Sequence, residues 1–260
     1  MWRYRIGILG GLGPYAHIEF ERCLLAALGC PANDQAYPEW IVVSIPHTPD
    51  RTEALLGRGP SPIPAILQGL ERLASGADFA AITCITAHAF LDEIRARARV
   101  PILDMVDLTL AAAQERASGA RIGVLATTGA LRSGIFSRPR TCRPSGLEVL
   151  SLLDLPGGLE LQEDLVMRPI YGPLYGGLRR PGGIKSGGDR DPESGIPHRA
   201  TLTAAVRALA DAGASCVITG CTEIPLALGR DPVHGTLLLD PLEVAAHAAI
   251  RIARGQLSLP

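Results

Sequence analysis

The stretch Ala80-Ala-Ile-Thr-Cys84-Ile-Thr-Ala-His88 recurs in outline later in the chain as Val217-Ile-Thr-Gly-Cys221-Thr-Glu223. Each begins with a short apolar run typical of a buried parallel strand, and a cysteine comes where a helix is expected to begin. In doubly wound α/β folds, ligands bind at this end of the strands. The sequence therefore predicts an α/β protein in which the Cys84 and Cys221 thiols act on one substrate from opposite sides.

The two halves of the chain match beyond the cysteines. Arg5-Ile-Gly-Ile-Leu9 is answered by Arg121-Ile-Gly-Val-Leu125, and a Gly-Ala pair begins eight residues before each cysteine. A third match is Pro101-Ile-Leu-Asp104, which is answered by Leu237-Leu-Leu-Asp240. Three such matches in the same order indicate an internal duplication of roughly 120 residues per copy, a period too long for a solenoid. The alternative is that the buried strands of any α/β protein look alike.

The composition is that of a globular protein. The 260 residues are 47% hydrophobic and 20% charged, which is enough for one large domain or two small lobes with sizeable cores. The net charge of −1 gives no reason to expect binding to nucleic acid or to an anionic membrane. No apolar run approaches the ~18 residues of a transmembrane helix.

The cysteines and the start of the chain bear on the cellular compartment. None of the six cysteines has the spacing of a zinc site, and a chain of this length does not need disulfides to fold. The first residues, Met1-Trp-Arg-Tyr-Arg5, lack the apolar segment of a signal peptide. We therefore expect a cytoplasmic protein with reduced thiols.

Three loops at predicted strand ends carry groups that can bind a carboxylate. Gly10-Gly-Leu-Gly-Pro14 offers backbone N–H groups at a helix start, Gly11 among them, although a tight turn without a ligand would look the same. It does not match the dinucleotide fingerprint GxGxxG. Arg51, in a loop bounded by prolines, can make a bidentate contact to a carboxylate. Ala126-Thr-Thr-Gly129 offers hydroxyl and N–H groups.

The segment before the second cysteine is harder to assign. A helix is predicted from Leu159 to Leu178, with interruptions at Pro169 and Pro173. Residues 179–200, which come next, are rich in glycine, proline and charge, which predicts either a lid or a disordered loop.

Taken together, the chain resembles the aspartate/glutamate racemase superfamily, in particular its aspartate-racemase-like branch. The segments that carry the resemblance span nearly the whole chain: Gly10–Pro14, Pro49–Thr52, Cys84 with Thr86–His88, Leu125–Gly129 and Gly220–Pro225. The resemblance implies two pseudo-symmetric α/β lobes, each a parallel sheet flanked by helices, with the active site in the cleft between them. We place the first lobe at 1–106 plus 229–260, with the closing segment packed onto it, and the second lobe at 107–228.

The resemblance also implies a function. It implies a homodimer that racemises a small amino acid or related dicarboxylic acid without pyridoxal phosphate, another cofactor or a metal. One cysteine thiolate would remove the α-proton and the other thiol would return a proton to the opposite face. Each of the other site residues has an expected role: Gly11, Thr86, Thr127, Thr128 and Thr222 bind the substrate, Arg51 holds a distal carboxylate, and His88 and Glu223 tune the cysteines.

Two positions depart from the family pattern. Relatives usually have a substrate-binding Asn directly after the first cysteine, where this chain has Ile85. Aspartate-specific relatives commonly carry a lysine at the position that we align with Tyr175. Both changes remove polar anchors, which leaves open a racemase of a less polar substrate, or an isomerase or decarboxylase of a related carboxylic acid. A non-catalytic two-lobed protein that binds a small acid is the second alternative.

Overall fold

The computed structural model describes residues 2–116, 121–137 and 147–260. The chain divides into two compact units, Met1–Leu108 with Pro241–Pro260, and Thr109–Asp240. Each unit contains a parallel sheet and flanking helices, which confirms the predicted α/β class. Within the described residues, no helix combines the length and apolarity that crossing a membrane requires.

The first unit has a sheet with the strand order β2-β1-β3. Its strands are β1 (Ile6–Gly10), β2 (Trp40–Ser44) and β3 (Phe79–Ile82). A single bridge from Ala80 to Ile102 continues the sheet where the sequence predicts a strand. The helices are α1 (Pro14–Leu28), α2 (Arg51–Leu55), α3 (Ile63–Ala74) and α4 (Leu91–Arg95). The next helix, α5 (Met105–Arg116), begins in this unit and continues into the second unit from Thr109.

The second unit has a sheet with the strand order β5-β4-β8-β9 and a separate two-stranded hairpin, β6-β7. Its elements from β4 to α8 are β4 (Arg121–Leu125), α6 (Thr128–Arg132), β5 (Glu148–Ser151), α7 (Gly158–Gln162) and α8 (Arg168–Tyr171). After them come β6 (Leu174–Tyr175), β7 (Leu178–Arg179), α9 (His198–Asp211), β8 (Cys216–Thr219), α10 (Ile224–Leu228) and β9 (Leu237–Leu239). The last helix, α11 (Pro241–Ala253), belongs to the first unit and packs against α1.

Corresponding residues make the same contacts in the two sheets. A Cβ on Gly7 would lie 2.9 Å from the Cβ of Ala77, and one on Gly123 would lie 3.2 Å from the Cβ of Ala214. In both units, therefore, the Gly-Ala turn before the next strand packs close to a glycine of the central strand, where a side chain would crowd the alanine. The shared strand order and these contacts support the internal duplication.

The division into units differs from the predicted lobes in residues 229–240. We placed this segment with the first lobe, but Leu237–Leu239 forms parallel pairs with β8, so it completes the second sheet. The chain returns to the first unit at Pro241. The reason is hydrogen bonding: the backbone groups of β8 need a partner strand on this side.

The predicted helix over Leu159–Leu178 is wrong after Tyr171. Gly172 has a φ of 92°, a left-handed conformation that ends α8, and the chain then forms the β6-β7 hairpin. Between α7 and α8 lies a π-helical turn, Glu163–Met167.

Residues 179–200 take a defined path anchored by one charged side chain. The Arg168 guanidinium donates from Nε to Asp191 Oδ2 at 2.5 Å and from Nη2 to Asp191 Oδ1 at 3.0 Å, and it also pairs with Glu193. Asp191 in turn accepts from the backbone N–H groups of Glu193 and Ser194. These bonds hold the pKa of the Asp191 carboxyl well below its usual value, with Arg168 as the main cause.

This ion pair predicts a pH-dependent contribution to stability. Arg168→Met should lower the free energy of unfolding by about 1–3 kcal/mol at pH 7, because a hydrogen-bonded charge pair is lost. Folding lowers the pKa of the Asp191 carboxyl. The contribution of the ion pair to stability is therefore fully present above pH ~4 and is lost as the pH falls further. Denaturant unfolding from pH 7 down to pH 2 measures both effects. Arg190→Met, at an exposed pair, is the control, and a pH-independent difference between Arg168→Met and the wild type would contradict the assignment.

Candidate active site

Cys84 lies two residues beyond β3, at the start of a 3₁₀ turn, Ile85–Phe90. The sequence predicts a helix from Ala87 to Arg97 here, and the structure has this turn followed by the short α4. Cys84 is 6% exposed, and its backbone carbonyl accepts from Ala87 N–H. The thiol is therefore held at the carboxyl end of the sheet, as the sequence predicts for one half of the site.

His88 contacts the backbone of Cys84. Its Nδ1 lies 2.9 Å from the Cys84 carbonyl oxygen, and its Nε2 accepts from the Met105 N–H at 3.2 Å. Nε2 must carry a lone pair to accept this hydrogen bond, so the ring proton is on Nδ1. The Nδ1–H group then donates a hydrogen bond to the backbone carbonyl oxygen of Cys84. The buried ring therefore ties the turn after β3 to the start of α5, and its two ring nitrogens face backbone groups.

The backbone conformation of the glycine loop and the closeness of Ile45 explain why residue 11 is a glycine. This residue has a φ of 88°, and a Cβ there would lie 2.4 Å from Ile45 N. Its N–H donates to His17 Nδ1 at 3.3 Å. Burial lowers the pKa of His17, and the charge of Glu21 opposes this. The N–H that we expected to bind the substrate is thus directed at an imidazole.

Arg51 is buried and faces backbone carbonyl groups. Its Nη1 donates to Pro49 O at 3.1 Å, and its Nη2 donates to Leu12 O. The guanidinium thereby joins its own loop to the glycine loop. Its contact with a distal carboxylate stays a prediction.

The two positions that depart from the family pattern lie in different surroundings. Ile85 is 1% exposed and belongs to the core of the first unit, directly beside Thr86, which is also buried. Tyr175 lies on the β6-β7 hairpin, is 43% exposed and stacks with Arg180, whose guanidinium carbon is 4.9 Å from the ring centroid. The Ile85 side chain is therefore apolar and buried, and the Tyr175 ring faces the Arg180 guanidinium.

Cys221 contacts a carboxylate in the second unit. It lies just beyond β8 and is 5% exposed, and its Sγ donates to Glu223 Oε2 at 3.0 Å. Thr222 Oγ1 donates to the same oxygen at 3.1 Å. Burial raises the pKa of the Cys221 thiol well above its usual value, the Glu223 charge raises it further, and the Lys185 ammonium acts in the opposite direction. Cys221 is therefore a protonated thiol in this arrangement.

The loop after β4 carries Thr127 and Thr128. Thr127 caps α6, because its Oγ1 accepts from Ala130 N–H at 3.3 Å. Thr128 is partly exposed, and its N–H points at Met167 Sδ at 3.3 Å. Gln162 Nε2 donates to Ala126 O at 2.8 Å and lies 3.5 Å from Thr128 Oγ1. Sequence reasoning missed Gln162 and Met167, since neither lies in a motif or at a strand end.

The remaining described cysteines have no assigned role. Cys23 and Cys216 are buried, and burial raises the pKa of Cys216 to about 11. Cys30 is exposed. Cys142 lies outside the described residues. Within the described part of the chain, no cluster of three or more His, Cys, Asp or Glu residues could hold a metal ion.

The sequence profile described as Asp/Glu/Hydantoin racemase matches residues 9–146, just over half of the chain. The chain belongs to this family. The match includes Cys84 and the Thr127–Thr128 loop and ends before Cys221.

Two racemases share about 30% sequence identity with part of this chain. Over 149 residues it is 31% identical to the broad specificity amino-acid racemase RacX of Bacillus subtilis, covering 56% of this chain and 63% of that protein. Over 192 residues it is 28% identical to the glutamate racemase of Deinococcus radiodurans, covering 72% of this chain and 57% of that protein. The matches therefore span less than two thirds of each relative.

A solved structure supports the fold. The aspartate racemase of Picrophilus torridus is similar with a TM-score of 0.73 and 22% identity, covering 96% of this chain and 94% of that chain. A likeness at this level of identity bears on the backbone, and it agrees with the α/β class described above.

The contact between Cys221 and Glu223 leads to a prediction about thiol reactivity. Glu223→Gln should shift the pH midpoint for modification of Cys221 by methyl methanethiosulfonate to lower pH, because a negative charge that disfavours the thiolate is removed. Mass spectrometry of the Cys221 peptide gives the rate at each pH. Glu160→Gln, at an exposed position of α7, should leave the midpoint unchanged. An unchanged or raised midpoint in Glu223→Gln would count against the contact.

Proposed function

We propose that this protein is a cofactor-independent amino-acid racemase in which Cys84 and Cys221 form the acid/base pair. Membership of the Asp/Glu/Hydantoin racemase family supports the reaction class. The observation that carries the chemistry is the hydrogen bond from the Cys221 thiol to Glu223, because it gives one of the two cysteines a defined protonation state.

The two thiols have different surroundings, which suggests which of them acts as the acid and which as the base. The Cys221 thiol donates a hydrogen bond to the Glu223 carboxylate. At Cys84, by contrast, the neutral imidazole of His88 contacts the backbone carbonyl oxygen. Inversion needs one base and one acid in opposite protonation states. We infer that Cys221 enters the cycle as the acid and Cys84 as the base.

The proposed substrate is a small α-amino acid. Removing its α-proton leaves a carbanion next to a carboxylate, and fixed hydrogen-bond donors must stabilise the charge that develops. Thr86, Thr127, Thr128 and Thr222 are the proposed donors. Isoleucine at position 85 and tyrosine at 175 remove two polar anchors, which favours a less polar or broader range of side chains than aspartate alone. The relative RacX carries a name of this kind.

The same two positions leave one alternative open. An isomerase or decarboxylase of another carboxylic acid would use the same thiols, with a different product. Chiral analysis of the products distinguishes it, because only racemisation yields the mirror-image amino acid. A purely binding role is disfavoured by the Cys221 thiol, which is hydrogen-bonded to a carboxylate.

The two-cysteine scheme predicts the behaviour of single variants in D₂O. Cys84→Ala and Cys221→Ala should each lower net inversion by roughly 10²–10⁴-fold, because one acid/base group is missing. Each variant should still incorporate α-deuterium into one enantiomer only, and the two variants should differ in which one. Proton NMR and chiral chromatography over a panel of amino acids measure both quantities.

Cys216→Ala is the matched control, since it removes a buried thiol without an assigned role. It should retain full racemisation. Full racemisation by Cys84→Ala or Cys221→Ala would rule out the pair, and absence of deuterium uptake by the wild type over the whole panel would rule out the racemase.

A further inference from the structure

The loop after β4 is supported by two side chains to which the sequence assigns nothing. Gln162 contacts Ala126 and Thr128 with its amide, and Met167 faces the Thr128 N–H with its sulfur. We propose that Gln162 is a positioning residue that directs the hydroxyl of Thr128 toward an anionic group, so that this loop binds the substrate carboxylate. The proposal rests on the racemase function and names how one carboxylate contact is built.

The orientation of the Gln162 amide is set by its partner. At 2.8 Å from the carbonyl oxygen of Ala126, the amide must present its NH₂ group, because two oxygens would repel each other. The same nitrogen faces Thr128 Oγ1 at 3.5 Å. A hydroxyl that faces a donor turns its own hydrogen away, and that hydrogen is then available to a ligand.

The Thr128 N–H is poised in a similar way. It points at the thioether of Met167 at 3.3 Å, and a thioether sulfur is a weak acceptor. A carboxylate oxygen forms a much stronger bond with an N–H group and can replace the sulfur at little cost. Thr128 is partly exposed, whereas Gln162 is only 2% exposed, so the donors are reachable while their support is buried.

The π-helical turn accounts for the position of both supports. Gln162 and Met167 are five residues apart, and in a regular α-helix such residues point about 140° away from each other. The wider turn over Glu163–Met167, with its i to i+5 hydrogen bonds, brings them toward the same face. The π-helical turn thus allows both Gln162 and Met167 to contact the loop after β4.

The second amide atom argues against a role in packing alone. Gln162 Oε1 is buried and has no hydrogen-bond partner among residues 2–116, 121–137 and 147–260. Burying an unsatisfied carbonyl oxygen costs about 1–3 kcal/mol. An apolar side chain of similar length would fill the same space without this cost, so the donor function of the amide is what distinguishes Gln162.

The test combines substitutions of Gln162 with Thr128→Val. The carboxylate of Gln162→Glu would accept the Thr128 hydroxyl proton and repel an anionic ligand, so KM should rise about 10- to 100-fold with kcat changed much less. Thr128→Val should raise KM by a similar factor. The uncharged variant Gln162→Met tests the coupling: in the Thr128→Val background it should add less than about 3-fold to KM, because the two side chains act as one unit. Gln162→Met, which keeps the length and removes the donor, should raise KM by an intermediate factor.

Binding of succinate, measured by calorimetry, gives a readout that does not require turnover. Its dissociation constant should rise in Gln162→Glu and stay unchanged in Gln68→Glu, which makes the same chemical change at an exposed position of α3. Unfolding midpoints show whether each variant is folded at the assay temperature.

The outcomes separate this inference from the function on which it rests. If the wild type racemises an amino acid and Gln162→Glu leaves KM and succinate affinity unchanged, the inference is wrong and the function stands. An effect of Gln162→Met that is fully retained in the Thr128→Val background also overturns it. If the wild type exchanges no α-proton, the proposed function fails, and the succinate measurements alone decide whether this loop binds carboxylates.

Discussion

A parallel strand that is covered on both faces can present polar side chains only at its ends, and both units depend on this constraint. In the first unit β3 is fully buried and leads into Thr83 and Cys84. In the second, β8 is fully buried and leads into Gly220 and Cys221. The close packing of Gly7 on Ala77 and of Gly123 on Ala214 fixes each central strand against the turn that leads into the cysteine strand. Each thiol thus follows closely on a strand that is buried along its whole length.

Although the two units share a strand order, they surround their cysteines with different chemistry. His88, four residues after Cys84, contacts the Cys84 backbone carbonyl with its imidazole. Glu223, two residues after Cys221, accepts a hydrogen bond from the Cys221 thiol. A duplicated scaffold with unequal flanking residues suits a reaction in which one thiol must be charged while the other is not. The asymmetry in contacts comes from two side chains, His88 in the first unit and Glu223 in the second.

Much of the fold can be predicted from local sequence patterns. The strands near Arg5–Leu9 and Arg121–Leu125 and the closing helix were within reach of pattern reasoning, because apolar runs and glycine turns are local signals. The π-helical turn and the β6-β7 hairpin were not, because proline and glycine mark where a helix is interrupted without indicating which structure replaces it. The strand pairing that puts Leu237–Leu239 in the second unit is likewise a long-range choice.

By itself, the sequence determined the α/β class, the doubled pattern and the cysteines that come after a buried strand in each half, because these depend on residue types and their spacing along the chain. Only the tertiary structure decided what each polar side chain meets. His88 reaches Met105 across 17 residues and Gln162 reaches Ala126 across 36. Contacts between residues so far apart depend on how the helices and loops pack around the sheet, and no local pattern encodes that packing.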